Sequence, residues 1–457
     1  MFTLRPYQQA AVDAVRDAYR VGFRRPLLVA PTGSGKTVMF SYITASAAAR
    51  GNRTLILVHR AELLEQCHRS LESMEVPHGL IASGLTPDRH QLTQVASVQT
   101  LIRRFDRVVP PDLIVVDEAH HATAGAWASV LTQWPNARVL GVTATPQRLD
   151  GKGLGTVFDI LIRGPEVADL IEQSYLARPV YYAPKTVDLS GLHIVAGDYN
   201  RAEVAERMDK PTITGDAVTH YRKYANASSC IVFCTGIKHA EHVCQAFNAA
   251  GYRFAVIDGT LTRDERAKRV LDLSAGVLHG LVSVDIVSEG FDLPCVSTAI
   301  LLRPTASLGL HIQQIGRVLR PAPNKLRAVI LDHVGNCQRH GLAEEVRNWS
   351  LDGIRKRTRK GQQDDVQSTR QCPECFAVHT PSPTCPQCLH VYEIKDRIPD
   401  VVDGELEELK ARVAVRERKR EQGTAQTLED LIRVGKARGM KNPYGWAHNV
   451  FRARKSK

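Results

Sequence analysis

Short apolar runs rich in β-branched residues, separated by helical patterns, constrain the fold of this chain most strongly. The first four runs are PLLVA at 26–30, TLILVH at 54–59, LIVVD at 113–117 and RVLGVTAT at 138–145. Strands that are apolar on both faces and alternate with helices are typical of a parallel sheet covered on both sides. The sequence therefore predicts an α/β domain with a parallel sheet, which we place at 1–165.

The same alternation of apolar strand-like runs and helical patterns resumes after a more polar, less periodic stretch near 161–225. Five further apolar runs lie at 230–234, 253–258, 280–284, 298–302 and 327–332. A chain of 457 residues has room for two or three domains, because single cores rarely grow past about 250–300 residues. We therefore predict a second α/β domain, with its linker, over 166–340, and an accessory tail over 341–457.

The charge balance of the chain points to a polyanionic partner. The net charge is +12 and the isoelectric point about 9.3, which makes nucleic acid the leading candidate. Residues 341–457 carry 23 Lys and Arg against 17 Asp and Glu, so half of that excess lies in the tail. The end of the tail mixes aromatic and basic residues, which suits base stacking and phosphate contact but equally suits a packing helix with a solvated basic face.

No stretch approaches 18 consecutive apolar residues, and the N-terminus mixes acidic and basic residues where a signal peptide would be apolar. These features predict no membrane partner and a cytoplasmic protein, which fits a bacterial or phage-infected cell. Six of the ten cysteines are scattered, mostly in strand-like runs, where reduced buried thiols are the expectation.

A phosphate-binding loop follows the first apolar run. APTGSGKT (30–37) stands between a strand and an Ala-rich helical pattern, and only the first glycine of the general pattern is replaced, by Ala30. Glycines let such a loop fold around phosphates, its lysine reaches the β and γ phosphates, and its threonine hydroxyl binds magnesium. The predicted loop ligands are Thr32, Gly33, Ser34, Gly35, Lys36 and Thr37.

Two carboxylates end the third apolar run, in LIVVDEAHH. The carboxyl ends of parallel strands form the edge at which open α/β sheets bind ligands. We expect Asp117 to hold a magnesium ion and Glu118 to orient and deprotonate the water that attacks ATP. On its own, such a pair could be a solvated turn or a helix cap.

Four cysteines form two Cys-x-x-Cys pairs nine residues apart, in CPECFAVHTPSPTCPQC. Four thiolates suit a closed tetrahedral zinc site, and so small and polar a segment could not fold around a core of its own. We predict a structural zinc ribbon at 370–392 with ligands Cys372, Cys375, Cys385 and Cys388. Disulfides and a redox pair are the alternatives, and contact with DNA or with a protein partner is open for the ribbon.

The segment HIQQIGRVLRP (311–321) contains two arginines three positions apart and no carboxylate. On one helix, Arg317 and Arg320 would share a face. The lack of a carboxylate within one turn predicts an external anion as their partner.

The motifs APTGSGKT, DEAH and TATP occur in this order, and with them the chain resembles the superfamily 2 helicases and translocases. The likeness extends over residues 1 to about 340, through LRPYQ (4–8), LVHRAELLEQ (57–66), ASVQTL (96–101), VSEGFDLP (287–294) and QQIGRVLRP (313–321). It looks most like the branch with excision-repair translocases and phage branch-migration helicases. The resemblance implies two tandem RecA-like domains that use ATP and Mg²⁺.

The implied function is that of an ATP-driven DNA helicase or double-strand DNA translocase, which separates strands or remodels branched DNA. Its partner would be single-stranded, duplex or branched DNA. Two alternatives share the same motifs: an RNA helicase, and a nucleic-acid clamp that uses ATP as a switch without unwinding.

The resemblance also implies residue roles. Gln8 would read the adenine edge with support from Arg5, and Gln313 would belong to the nucleotide site. Arg317 and Arg320 would be arginine fingers for the γ-phosphate, unless their segment instead grips a nucleic-acid backbone.

Further roles concern coupling and nucleic acid. His120, Thr143 and Thr145 would couple hydrolysis to strand movement, while Gly290 and Asp292 would report the nucleotide state to the second domain. The candidates for nucleic-acid contact are His59, Arg60, Ser97 and Thr235, each of which could also be a capping or turn residue.

Overall fold

The protein is described by a computed structural model with side chains. It describes residues 3–86, 88–123, 125–148, 153–183, 189–195, 197–209, 211–285, 293–323, 325–352, 369–392, 425, 427–440 and 442–455. Two compact units are present, residues 1–391 and 392–457. Among the described helices, none combines the length and the apolar character needed to cross a membrane.

The first sheet has seven strands, all parallel, in the order β3-β4-β2-β5-β6-β1-β7. Its strands are β1 (Pro26–Val29), β2 (Thr54–Val58), β3 (His78–Ile81), β4 (Thr93–Ser97), β5 (Leu113–Asp117), β6 (Arg138–Thr143) and β7 (Ile160–Arg163). Its helices are α1 (Pro6–Val21), α2 (Lys36–Ala48), α3 (Ala61–Ser73), α4 (Val98–Leu101) and α5 (Gly125–Gln133).

Alternate residues of these strands point to opposite faces. On β1, Leu28 packs in the core under α1, α2 and α3, whereas Leu27 and Val29 pack in the core that includes α5. This burial on both faces explains why the strands read as continuous apolar runs. We call this part, up to β7, the first lobe.

The second sheet has eight strands in the order β12-β13-β11-β14-β15-β8-β17-β16. Its strands are β8 (Pro179–Tyr182), β11 (Cys230–Phe233), β12 (Phe254–Ile257), β13 (Gly280–Ser283), β14 (Thr298–Leu301), β15 (Ala328–Asp332), β16 (Arg370–Gln371) and β17 (Ala377–His379). Six are parallel, and β16 and β17 run antiparallel at the edge beside β8. We call this sheet and its helices the second lobe.

The helices around this sheet are α6 (Val167–Glu172), α7 (Arg201–Met208), α8 (Pro211–Ala225), α9 (Ile237–Ala249), α10 (Arg263–Ser274), α11 (Leu308–Val318) and α12 (Asn336–His340). A two-stranded hairpin, β9 (Ile194–Val195) and β10 (Asp198–Tyr199), precedes α7. The prediction of an α/β fold with parallel sheets is confirmed. The stretch near 161–225, which carried no clear apolar period, contains β7, β8, the β9–β10 hairpin and three helices.

The second compact unit contains α13 (Leu428–Ala437) and α14 (Pro443–Lys455). The domain bounds predicted at 165 and 340 stay a prediction. The predicted ribbon lies in the first compact unit, since β17 pairs with β8, and so it extends the second lobe.

Candidate nucleotide and nucleic-acid site

The predicted phosphate loop connects β1 to α2 at the carboxyl edge of the first sheet. Gly35 has φ of 81°, in the left-handed region that side chains disfavour. A Cβ atom at Gly35 would also lie 2.4 Å from Gln8 Nε2. The Ser34 carbonyl accepts hydrogen bonds from Gln8 Nε2 at 3.1 Å and from the Tyr7 hydroxyl at 3.0 Å. The loop and the predicted adenine-reading segment therefore form one unit.

Arg5 lies at the start of α1 beside this unit. Its backbone N–H donates to Gln8 Oε1 at 3.0 Å, and its guanidinium lies 4.6 Å from the centre of the Tyr175 ring. The Tyr7 and Tyr175 rings are 5.1 Å apart. Tyr175 was not predicted from the sequence, because its partners lie near the N-terminal end of the chain and no local pattern marks it.

Lys36 is the point at which the charged groups of the site converge. Its Nζ atom donates to the Pro31 carbonyl at 3.4 Å. Burial lowers the pKa of Lys36, the carboxylates of Glu118 and Asp117 oppose that shift, and two arginines, Arg317 and Arg320, add to it. Five predicted catalytic residues therefore lie within electrostatic reach of one another.

Asp117 is the last residue of β5 and Glu118 follows it, and both are buried, with 4% of Asp117 and 8% of Glu118 exposed. Burial and the neighbouring Glu118 carboxylate raise the pKa of Asp117 to about 7, although Lys36 opposes the shift. Within the described residues, Glu118 Oε2 accepts no hydrogen bond. Two adjacent buried carboxylates, one with a raised pKa, offer the hard oxygen ligands that a divalent cation such as Mg²⁺ prefers.

The predicted coupling residues form a continuous chain of contacts. His120 Nδ1 lies 3.5 Å from Glu118 Oε2 and 3.2 Å from Thr143 Oγ1. The Thr143 hydroxyl donates to the Thr145 carbonyl at 3.0 Å and accepts from the Thr145 N–H at 3.2 Å. The structure thus brings His120, Thr143 and Thr145 together beside the acidic edge.

Helix α11 of the second lobe lies directly against the phosphate loop. A Cβ atom at Gly316 would lie 2.5 Å from Thr32 Cβ, and one at Gly309 would lie 3.1 Å from Thr145 Oγ1. At Gly316 any other residue would force α11 or the loop to shift. Gln313 lines a cavity of about 600 Å³ between the lobes.

The two arginines do not share a helix face, so that part of the sequence analysis was wrong. Helix α11 ends at Val318, with Arg317 in its last turn and Arg320 beyond its end. Pro321 follows Arg320, and a residue before proline disfavours the helical conformation. Arg320 nevertheless reaches the loop, because a Cβ atom at Gly33 would lie 3.3 Å from Arg320 Cγ.

Lys325 is a second residue of the site that was not predicted from the sequence. Its Nζ atom donates to the Arg320 carbonyl at 2.6 Å, to the Val296 carbonyl at 2.6 Å and to the Pro294 carbonyl at 3.5 Å. Burial lowers the pKa of Lys325 to about 8. One ammonium group therefore fixes the backbone of Arg320 to the segment before β14. A basic residue soon after an arginine motif was the only available signal.

The four candidates for nucleic-acid contact are only partly brought together. His59 and Arg60 line the cavity between the lobes. Ser97 connects to them indirectly, since its hydroxyl donates to Gln99 Oε1 at 2.9 Å and Gln99 Nε2 donates to the His59 carbonyl at 3.3 Å. Thr235 instead lies 3.1 Å from His239 Nδ1 in the second lobe, apart from that cavity lining. The predicted sensors Gly290 and Asp292 lie outside the described residues.

The four cysteines converge on one point. All four sulfur atoms lie within 4.8 Å of one another. The two Cys-x-x-Cys turns have the same backbone pattern, with Phe376 N–H donating to Cys372 O and Leu389 N–H donating to Cys385 O, both at 3.0 Å. The four-sulfur donor set fits a single tetrahedral metal ion such as zinc.

The cysteine segment covers an edge of the second sheet. Strand β17 pairs with β8, and Val378 packs in the core of the second lobe. The Tyr224 hydroxyl donates to the Cys375 carbonyl at 3.3 Å. Without this cover, β8 would present unpaired backbone groups to solvent.

Comparisons with known proteins agree with this architecture. Residues 1–148 match the family described as type III restriction enzyme, res subunit, and residues 213–322 match the helicase conserved C-terminal domain. A 51.5 kDa protein of a Lactococcus phage is 34% identical over 81% of this chain and 79% of its own length. The Saccharomyces cerevisiae protein named as ATP-dependent helicase IRC3 is 29% identical over 73% of this chain.

The chain spans only 51% of the length of that yeast protein. Among solved structures, a fragment described as an HsdR subunit of a type I restriction enzyme from Vibrio vulnificus has a TM-score of 0.61. The structural match extends over 78% of this chain and 67% of the fragment, at 21% sequence identity, and shows that the two share a fold. Because the two family models match in this order and a relative is matched over most of its length, the chain belongs to the superfamily 2 helicases, which are ATP-hydrolysing enzymes that act on nucleic acid.

Proposed function

We propose that the chain is an ATP-driven DNA helicase or double-strand DNA translocase that separates strands or remodels branched DNA. The contact of α11 with the phosphate loop supports this most directly, because it places groups of both lobes around Lys36. ATP bound there would draw the lobes together, and hydrolysis would let them part. Repeated closing and opening moves a two-lobed enzyme along its track.

Nucleotide binding is assigned to the first lobe. Lys36 and the loop amides would hold the phosphates, and Thr37 would hold Mg²⁺ together with Asp117. Gln8 reads the adenine edge and is oriented by its hydrogen bonds to Ser34 and Arg5. The Tyr7 and Tyr175 rings beside it give the base an apolar neighbour. When bound, Mg²⁺ would neutralise negative charge on the phosphates.

Hydrolysis needs groups from both lobes. Glu118 orients the attacking water and takes its proton, a role that suits its buried Oε2, which accepts no hydrogen bond from the part of the chain that the structure describes. Arg317 and Arg320 neutralise the charge that develops on the γ-phosphate, supplied from the second lobe in cis. Gln313 acts beside them, and Lys325 positions Arg320 through its backbone carbonyl.

Coupling runs from Glu118 through His120 and Thr143 to Thr145, which meets α11 at Gly309. Nucleic acid is assigned to the top of both lobes, with His59, Arg60, Ser97 and Thr235 as contacts. Gly290 and Asp292 keep their predicted role as sensors of the nucleotide state. The choice of DNA rests on the LRPYQ and QQIGRVLR segments and on the net charge of +12.

The cysteine cluster is assigned one structural zinc ion, which would hold β16 and β17 at the edge of the second sheet. We keep the three proposed regions at 1–165, 166–340 and 341–457. A protein partner at the ribbon stays a prediction from the sequence.

The test is the ATPase rate with single-stranded DNA, duplex DNA, forked DNA and RNA as separate stimulants. We expect stimulation by one or more DNA forms, and strand displacement or remodelling on a forked substrate. Stimulation by RNA alone would overturn the choice of DNA. Stimulated hydrolysis without strand separation or movement on any DNA would instead favour the clamp.

A further inference from the structure

The second compact unit is a helical hairpin with its own small core. Leu431 of α13 and Ala447 of α14 are fully buried against each other's helices, and Trp446 and Phe451 pack around them. A Cβ atom at Gly435 would lie 3.0 Å from Pro443 Cβ, so the two helices approach closely at the turn. Thr427 caps α13, with its hydroxyl 2.6 Å from Asp430 Oδ2.

The hairpin carries a much larger share of the chain's positive charge than of its length. Residues 425–457 contain eight Lys and Arg against two Asp and Glu. The net charge of +6 is half of the whole chain's +12, carried by 33 residues. The rest of the tail, 341–424, is neutral in sum, so the basic character predicted for the tail belongs to the hairpin.

The two acidic residues stand together at the start of α13, away from the turn. Asp430 is already engaged, since it closes the helix cap and lies 3.7 Å from Arg433. The other end of α13, next to the turn, carries cations beside aromatic rings. Lys436 Nζ lies 5.1 Å from the centre of the Tyr444 ring, and the Arg438 guanidinium lies 5.7 Å from that of Trp446.

Tyr444 and Lys436 are both presented to solvent, and 55% of Tyr444 is exposed. Neither side chain contributes to the hairpin core. An exposed ring next to an ammonium group can stack an unpaired base while the cation contacts the adjoining phosphate. Trp446, in contrast, is held between the helices and serves packing.

We infer that the turn end of this hairpin, formed by Lys436, Arg438 and Tyr444, is a second nucleic-acid site that binds a single strand without base preference. It acts in addition to the motor lobes and needs no ATP. The inference rests on the proposed function only in taking nucleic acid as the partner. Such a site would keep the motor near its substrate during the open, weakly bound stage of the cycle.

The experiment uses the full chain without nucleotide and a fluorescent single-stranded oligonucleotide. Lys436→Glu should weaken binding and reduce the slope of log K against log salt by about 0.7 for each phosphate that the variant no longer neutralises. Tyr444→Ala should weaken binding by about 10-fold with little change in that slope, because stacking is not ionic. Both residues are exposed, so circular dichroism should show an unchanged fold.

Arg20→Glu is the matched control, because it reverses one exposed charge at the end of α1 in the first lobe. Unchanged affinity in both hairpin variants would overturn the inference, as would an equal loss in Arg20→Glu. An equal loss of duplex affinity in Tyr444→Ala would contradict stacking on an unpaired base. Basal ATPase should stay at the parent rate in all three variants. Failure of the proposed function would be seen separately, as an ATPase that no DNA stimulates.

Discussion

The nucleotide site and the cysteine site are built in opposite ways. The nucleotide site takes parts from Arg5 near the N-terminus to Arg320 in the second lobe, and these parts meet only because α11 of the second lobe contacts the phosphate loop of the first. The cysteine site takes all four thiols from the segment 372–388. A site built across lobes can be switched by lobe movement, whereas a site built from two adjacent turns is closed and suits a structural role.

The largest effect is expected from removing the group that activates water. Glu118→Gln should lower kcat by about 10³-fold while ATP affinity is retained, because general base catalysis contributes roughly 10² to 10⁴. Lys36→Ala should instead abolish nucleotide binding, since it removes the phosphate contact. Hydrolysis by Glu118→Gln at the parent rate would show that the base lies elsewhere.

The addition of one Cβ atom at Gly316 should disrupt the contact between the lobes. Gly316→Ala adds a Cβ atom 2.5 Å from Thr32 Cβ, so α11 must move away from the loop. We expect kcat to fall by up to about 100-fold, as a displacement near 1 Å can cause, with ATP affinity largely kept.

Gly125→Ala is the control for that variant, because no described atom outside its own helix backbone and its chain neighbours lies within 4 Å of the added Cβ atom. It should hydrolyse ATP at the parent rate. Equal rates in Gly316→Ala and the parent would mean that the two lobes do not meet at α11 during catalysis.

A smaller effect is expected at Lys325, which acts through Arg320. Lys325→Gln should lower kcat by roughly 10-fold with little change in ATP affinity, because Arg320 loses its backbone anchor. Lys325→Arg, which keeps a charged donor, should restore part of the rate.

The pH profile separates this positioning role from general destabilisation. Burial lowers the pKa of Lys325 to about 8, with Cys295 opposing the shift and Arg320 adding to it. The charge is thus present below pH 8 and lost as pH rises through about 8, and kcat should decline there. Lys325→Arg should lack that alkaline decline, and an unchanged decline would assign it to another group.

The smallest effect on catalysis is expected from the cysteine site. The parent protein should contain about one zinc per chain. Cys375→Ser and Cys388→Ser should lose zinc and lower the melting temperature, because β17 is released from β8, yet leave basal ATPase nearly unchanged. Cys295→Ser, outside the cluster, should retain zinc. A parent protein without zinc, or with disulfides by mass spectrometry, would refute the assignment.

The features that could be predicted from the sequence are those formed by residues that are neighbours along the chain. The β-branched runs predicted nine of the strands, β1, β2, β5, β6 and β11 to β15, but not β3, β4, β7 or β8. The phosphate loop, the Asp117–Glu118 pair and the cysteine pairs each lie within one short segment. Strand β3 was missed because its residues alternate between buried and half-buried and include Gly79. Short half-exposed strands give little apolar signal.

The features that could not be predicted depend on distant partners. Tyr175 and Lys325 gain their roles from Arg5 and Arg320, and nothing in their own neighbourhoods indicates those contacts. The helix at Arg317 was extended too far because the periodicity continued while Pro321 ended it. The docking of the cysteine segment on β8 required knowing which strand would be left at the edge of the sheet.

The central claim is that the second lobe completes the nucleotide site of the first. Arg320→Ala tests it most directly, through basal kcat, nucleotide affinity and DNA affinity measured on one variant. We expect kcat to fall by about 100-fold, roughly 2.7 kcal/mol in the barrier, with nucleotide affinity nearly unchanged because the charge matters chiefly in the transition state. Unchanged basal kcat together with a salt-dependent loss of DNA affinity would contradict the claim and assign Arg320 to the nucleic-acid backbone.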